Sequence, residues 1–131
     1  MIGLDTNVLV RYIMQDDPKQ SPKANRLIEA LDADNPGYIT TVSVIELVWV
    51  LTGCYALNRE QLAQGMEAML RTKHFVVEQA DQVLRALRVF EASKADFADC
   101  LIERSAANAG CARTMTFDAG AVRHAGMTPI L

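Results

Sequence analysis

Short apolar runs alternate along the chain with longer segments of helical periodicity. Residues 1–4 are apolar and are followed at once by Asp5-Thr6-Asn7 and a second apolar stretch, 8–14, a pattern that predicts a short buried strand turning into a helix. Asp16-Asp17-Pro18 breaks that helix. Ser21-Pro22 then predicts an N-cap with proline at N1, opening a helix with Leu27, Ile28 and Leu31 inward that ends near Asn35-Pro36-Gly37. Residues 38–41 are strand formers, and 42–52 follow as an apolar helix carrying one carboxylate, Glu46. Asn58 and Gln61 predict a capping box for a helix to about Thr72, with Leu62, Met66, Met69 and Leu70 as its stripe.

Phe75-Val76-Val77 predicts another strand, and 80–92 a helix with Val83, Leu84, Leu87 and Phe90 inward. Asp96 opens a helix from 97 to about 109 that stops at Gly110. A strand over 112–116, a short helix over 118–125 and a last strand over 128–131 complete the series. Strands alternating with helices, without an Asn-Gly hairpin turn, indicate βαβ units and a mainly parallel sheet covered on both faces. No repeat, linker or low-complexity segment interrupts them, so 131 residues predict one domain.

Composition narrows the class. Half of the residues are hydrophobic and 22% are charged, the balance of a folded domain rather than a disordered or fibrous chain. The longest apolar run, Leu47 to Leu51, is five residues, against the roughly 18 a membrane helix needs, and no basic segment opens the N-terminus. The three cysteines, Cys54, Cys100 and Cys111, lack metal-ligand spacing, and a reducing cytoplasm is expected.

The chemistry lies in the acids. In open parallel sheets ligands bind beyond the carboxyl ends of the strands, where Asp5 and Asp118 fall. Each acid taken singly also has a structural explanation: Asp5 and Asp118 as N-caps, Asp96 and Asp99 as a cap with its N3 partner. Glu46 resists one, because Val44, Ile45, Leu47, Val48, Trp49, Val50 and Leu51 leave no polar stripe around it, and no lysine or arginine lies between Arg26 and Arg59. If Asp5, Glu46, Asp96, Asp99 and Asp118 converge, their repulsion calls for a divalent cation, and oxygen-only donors suit Mg²⁺ or Mn²⁺. The net charge is −3, which argues against a generally basic nucleic-acid surface. Without these five acids the balance is 13 minus 11, or +2, so the negative character belongs to the proposed site.

Leu4-Asp5-Thr6-Asn7-Val8-Leu9, Glu46 in Glu-Leu-Val-Trp-Val-Leu, Asp96-Phe97-Ala98-Asp99-Cys100-Leu101-Ile102 and Thr116-Phe117-Asp118 stand in an order that resembles PIN-domain ribonucleases, most of all the VapC toxins of bacterial toxin–antitoxin pairs. The resemblance covers nearly the whole chain, without departure at the acidic positions. It implies a three-layer α/β/α sandwich with a mainly parallel central sheet, residues 1–131 as a single PIN domain, and Mg²⁺- or Mn²⁺-dependent endonucleolytic cleavage of RNA. It further implies a homodimer and a higher assembly with a cognate antitoxin protein, while the short apolar runs leave no membrane association to expect. On this resemblance Asp5, Glu46, Asp99 and Asp118 are the acidic metal site, with Asp96 beside them and with Thr6, Asn7 and Thr116 framing it.

In the mechanism it suggests, Asp5 and Asp118 are ligands, Asp99 is a ligand or acceptor, and Glu46 orients a water that attacks phosphorus, leaving a 5′-phosphate and a 3′-hydroxyl. His74 and His124 stand outside the motifs and are expected to be structural or solvent-facing. Arg11, Arg85, Arg88, Lys94 and Arg104 are read as solvated faces more than as phosphate contacts. Trp49 and Tyr55 are expected in the core rather than stacked on bases. Two other readings are a PIN-fold module that binds RNA or protein without cleaving, and an aspartyl-phosphate phosphotransfer domain. The second lacks its late lysine, since the last one is Lys94.

Overall fold

The computed structural model describes residues 1–131 as two compact units, Met1–Glu78 and Gln79–Leu131. In the first, strand β1 (Ile2–Gly3) leads to helices α1 (Thr6–Met14) and α2 (Gln20–Glu29), strand β2 (Gly37–Ile39) to helices α3 (Thr41–Gly53) and α4 (Arg59–Arg71), and strand β3 (Phe75–Val77) ends it. The three strands form a parallel sheet in the order β1-β2-β3, with Ile2 opposite Gly37 and Gly37 opposite Phe75. Parallel neighbours need long crossovers, and a pair of helices supplies each one. Leu9, Ile39, Val44, Leu47, Leu51 and Met66 are completely buried among these elements. Gly37 is closely packed: a Cβ there would lie 2.7 Å from Leu4 Cδ1 and 2.9 Å from Leu31 Cδ1, so the ends of both leucine side chains would have to shift.

The second unit contains α5 (Ala80–Ala92), α6 (Phe97–Asn108), β4 (Met115–Thr116), α7 (Ala119–His124) and β5 (Thr128–Pro129). Helices α5 and α6 pack together, with the rings of Phe90 and Phe97 edge to face at 5.9 Å. Strands β4 and β5 pair in parallel, Met115 opposite Thr128. Every strand pair in the protein is therefore parallel, as the alternation of elements predicts, although the strands form two sheets, of three and of two strands.

Several expectations hold residue for residue. Asn58 and Gln61 make the reciprocal capping box of α4, and α5 and β3 have the expected limits. Gly110, at φ 98°, follows α6. Its N–H donates to Ala107 O, and that of Cys111 to Ala106 O, the double bond pattern that closes a helix with a left-handed residue.

Others need correction. Ser21 is not an N-cap and Pro22 is not at N1: α2 begins at Gln20, and the Asp17 carboxylate accepts from the Lys19 and Gln20 N–H groups instead. A carboxylate just ahead of the helix reaches those amides and suits the positive helix end better than a hydroxyl does. The Ser21 hydroxyl is turned inward and donates to Arg11 O. Leu27 and Leu84, expected inward, are more than a third exposed, at the margins of their helical stripes. The last strands are shorter than predicted, two residues each.

Candidate active site

Asp5 follows β1 after Leu4 and caps α1 in extended conformation, its Oδ1 accepting the Thr6 N–H at 2.8 Å. Only Oδ1 is engaged, and the carboxylate faces the positive end of a helix dipole. Thr6 is buried, and its hydroxyl donates to Glu46 Oε1 at 3.1 Å, tying the first turn of α1 to α3. Thr40 sets the start of α3 by accepting the Ser43 N–H, which brings Glu46 round in the second turn. Asp5, Thr6, Asn7 and Glu46 line one cavity of about 430 Å³, with Arg11, Cys54 and Tyr55 on its other walls.

Glu46 is exposed, which corrects the expectation that its helix leaves no solvated face. Helix α3 is apolar on all sides, but it buries Val44, Leu47, Val48 and Leu51 and leaves Val42 and Trp49 each 70% exposed. Glu46 shares that outer side, so hydration and the Thr6 hydroxyl stabilise its charge without a cationic neighbour. Trp49 is accordingly not a core residue. A further carboxylate follows the third strand: Glu78 Oε1 accepts the Thr41 N–H at 2.7 Å, and the two hydrogen bonds from Thr41 hold its carboxyl below the usual range. Glu78 is thus occupied in capping α3.

The second unit gathers the remaining acids. Asp96 caps α6, its Oδ1 accepting the Asp99 N–H at 3.2 Å, and Asp118 caps α7, its Oδ1 accepting from Gly120 and Ala121. Thr116 accepts the Asp118 N–H through Oγ1, fixing the turn after β4. Burial, and then the charges of Asp96 and Asp118, push the Asp99 carboxyl up from its ordinary value. The capping explanation is therefore real for Asp5, Asp96 and Asp118, and in each it uses one oxygen and leaves Oδ2 as an acceptor.

The structure places Asp5 and Glu46 around one cavity and Asp96, Asp99 and Asp118 within electrostatic reach of one another. No three histidine, cysteine, aspartate or glutamate side chains of the chain come together around one point as a metal site. The donor chemistry nevertheless fits a hard divalent ion: every candidate ligand is a carboxylate, and the repulsion felt at Asp99 is of the kind a cation relieves. Arg11, expected on a solvated face, and Tyr55, expected in the core, are instead half-buried walls of the Asp5 cavity. Arg11 is four residues after Asn7, one helical turn on the same face, and this spacing is the signal that identifies it.

A family model described as the PIN domain matches residues 2–127. Among curated proteins, the chain is 25% identical over 114 residues to a VapC ribonuclease of Aquifex aeolicus (strain VF5), a span that covers 87% of this chain and 84% of that protein. The family match takes in both units and all five candidate acids, and with parallel strands joined by helices the chain belongs to the PIN-domain family and to its three-layer α/β/α fold class.

Proposed function

We propose that this protein is a metal-dependent endoribonuclease, the toxin of a toxin–antitoxin pair, with residues 1–131 acting as a single PIN domain in the cytoplasm. The observation that carries the reading is the cavity walled by Asp5, Thr6, Asn7 and Glu46 in a chain of this family. The VapC ribonuclease relative supports RNA as substrate, and the resemblance of the motifs to toxins of toxin–antitoxin pairs supports an antitoxin as partner. No helix is long and apolar enough to cross a membrane.

On the family resemblance, Asp5, Asp96, Asp99 and Asp118 are the carboxylates that would hold Mg²⁺ or Mn²⁺. Such an ion would supply charge stabilisation at the phosphoryl group and a more acidic water. The chain's own groups do the positioning. Helix dipoles and capping bonds fix Asp5 and Asp118 in orientation, Thr6 fixes Glu46, and Thr116 fixes the Asp118 turn. Glu46, exposed and hydrogen-bonded to Thr6 through Oε1, has Oε2 open and would orient the attacking water. Val42 and Trp49, exposed two turns apart on α3, support a protein partner on that face, in keeping with a homodimer and with an antitoxin complex.

The test compares the antitoxin-free chain with Asp5→Asn and Asp99→Asn on structured RNA, with Mg²⁺, with Mn²⁺ and with EDTA. Cleavage by the parent chain is expected to need metal and to be lost in both folded variants. Equal cleavage by all three in EDTA overturns the proposal. Metal binding without cleavage of any RNA would favour a binding module.

A further inference from the structure

The cavity of Asp5 and Glu46 has a cation and a phenol on its other side that the reaction described so far leaves unused. Arg11 Nη1 donates to Tyr55 Oη at 3.1 Å and stands 3.5 Å from Asp16 Oδ1, while its Nε donates to Gln20 at 2.7 Å. Tyr55 Oη in turn donates to Asp16 Oδ2 at 2.8 Å. That bond raises the phenol's pKa, so Tyr55 remains a donor. A guanidinium and a hydroxyl thus converge on one small anion, which here is the chain's own carboxylate. The side chain of Asp16 is 42% exposed, and an ion pair so open to water is easily exchanged. A guanidinium fork fits phosphate as well as carboxylate.

Position gives the exchange a purpose. Arg11 and Asn7 border two cavities, the one with Asp5 and Glu46 and a second that contains Lys23. A polyanionic strand whose scissile group lies at the carboxylates meets Arg11 next and Lys23 beyond it. We propose that Arg11 and Tyr55 bind an RNA backbone phosphate adjoining the cleaved bond, and that Asp16 holds this pair ready and competes with the phosphate until RNA arrives. The inference rests on the ribonuclease reading and assigns the substrate's grip within it.

The experiment measures retention of a labelled single-stranded RNA on filters at several salt concentrations, in an Asp99→Asn background that keeps the RNA whole, alongside KM and kcat in the otherwise unaltered chain. Arg11→Gln is expected to weaken binding about tenfold or more and to flatten the logarithmic salt slope by about 0.7, the value for one phosphate of a single strand. KM should rise with kcat little changed. Tyr55→Phe should have a smaller effect of the same sign, and Arg11→Lys should keep the salt slope. Asp16→Asn carries the distinguishing sign, because removing the competitor should tighten binding and lower KM, whereas a purely structural network would lose affinity and thermal stability in Arg11→Gln and Asp16→Asn together.

Arg11→Gln with unaltered affinity and slope, while Asp5→Asn still abolishes cleavage, would overturn this inference and leave the ribonuclease reading standing. Asp16→Asn weakening RNA binding as much as Arg11→Gln would overturn it too. An unaltered chain that neither binds nor cuts RNA removes both.

Discussion

Asp99 shows how one carboxylate can be placed against its own stability. Burial and two neighbouring aspartates make it hold its proton to higher pH in the folded chain than in the unfolded one. Protonation therefore favours the folded state: the contribution is fully present below the ordinary carboxylate pKa and is lost as pH rises through the raised one. Asp99→Asn is expected to melt higher than the parent chain at neutral pH without metal, with the difference vanishing in acid, while cleavage is lost. Thermal unfolding at pH about 3 and about 7 checks it, and a variant no more stable at neutral pH contradicts it. Glu46 marks the limit of sequence reasoning at this scale. Its neighbours are all apolar, and only the structure reveals that α3 buries one side and exposes the other, because which face of a uniformly apolar helix is covered depends on the rest of the fold.

Among elements, helix ends were the most legible features. Asn58 with Gln61, Asp96 with Asp99, and Gly110 are local signals, each satisfied by hydrogen bonds within a few residues. Gly110→Ala should accordingly cost about 1–2 kcal/mol, because alanine must adopt the left-handed conformation that closes α6. Denaturant unfolding measures this, and a cost near zero would mean that α6 ends without that closure. The start of α2 is not legible locally, because Asp17 and Ser21 both qualify as caps and the choice between them depends on Arg11 O, ten residues from Ser21, which takes the serine hydroxyl. Strand lengths were overestimated at the C-terminal end for a related reason: β propensity in 112–116 and 128–131 does not state how many residues find a partner.

For the whole molecule, the order of motifs was more informative than any pairing of residues. The chain's net charge of −3 becomes +2 once the five acids are set aside, so charge balance separates the acidic positions from the remainder. Charge balance does not single out Arg11 among the 13 basic residues, and only the cavity it shares with Asp5 and Glu46 separates it from the solvated faces.

Trp49 is the chain's single tryptophan, and it stands 70% exposed on α3. The protein therefore carries an intrinsic fluorophore at a face proposed to meet a partner. Its emission is expected to be red-shifted in dilute solution and to move to the blue, with less quenching by acrylamide, as concentration rises or an antitoxin is added. An emission maximum that ignores both would show that whatever this protein assembles with does so elsewhere. Either result requires no label, since one indole reports from one known position.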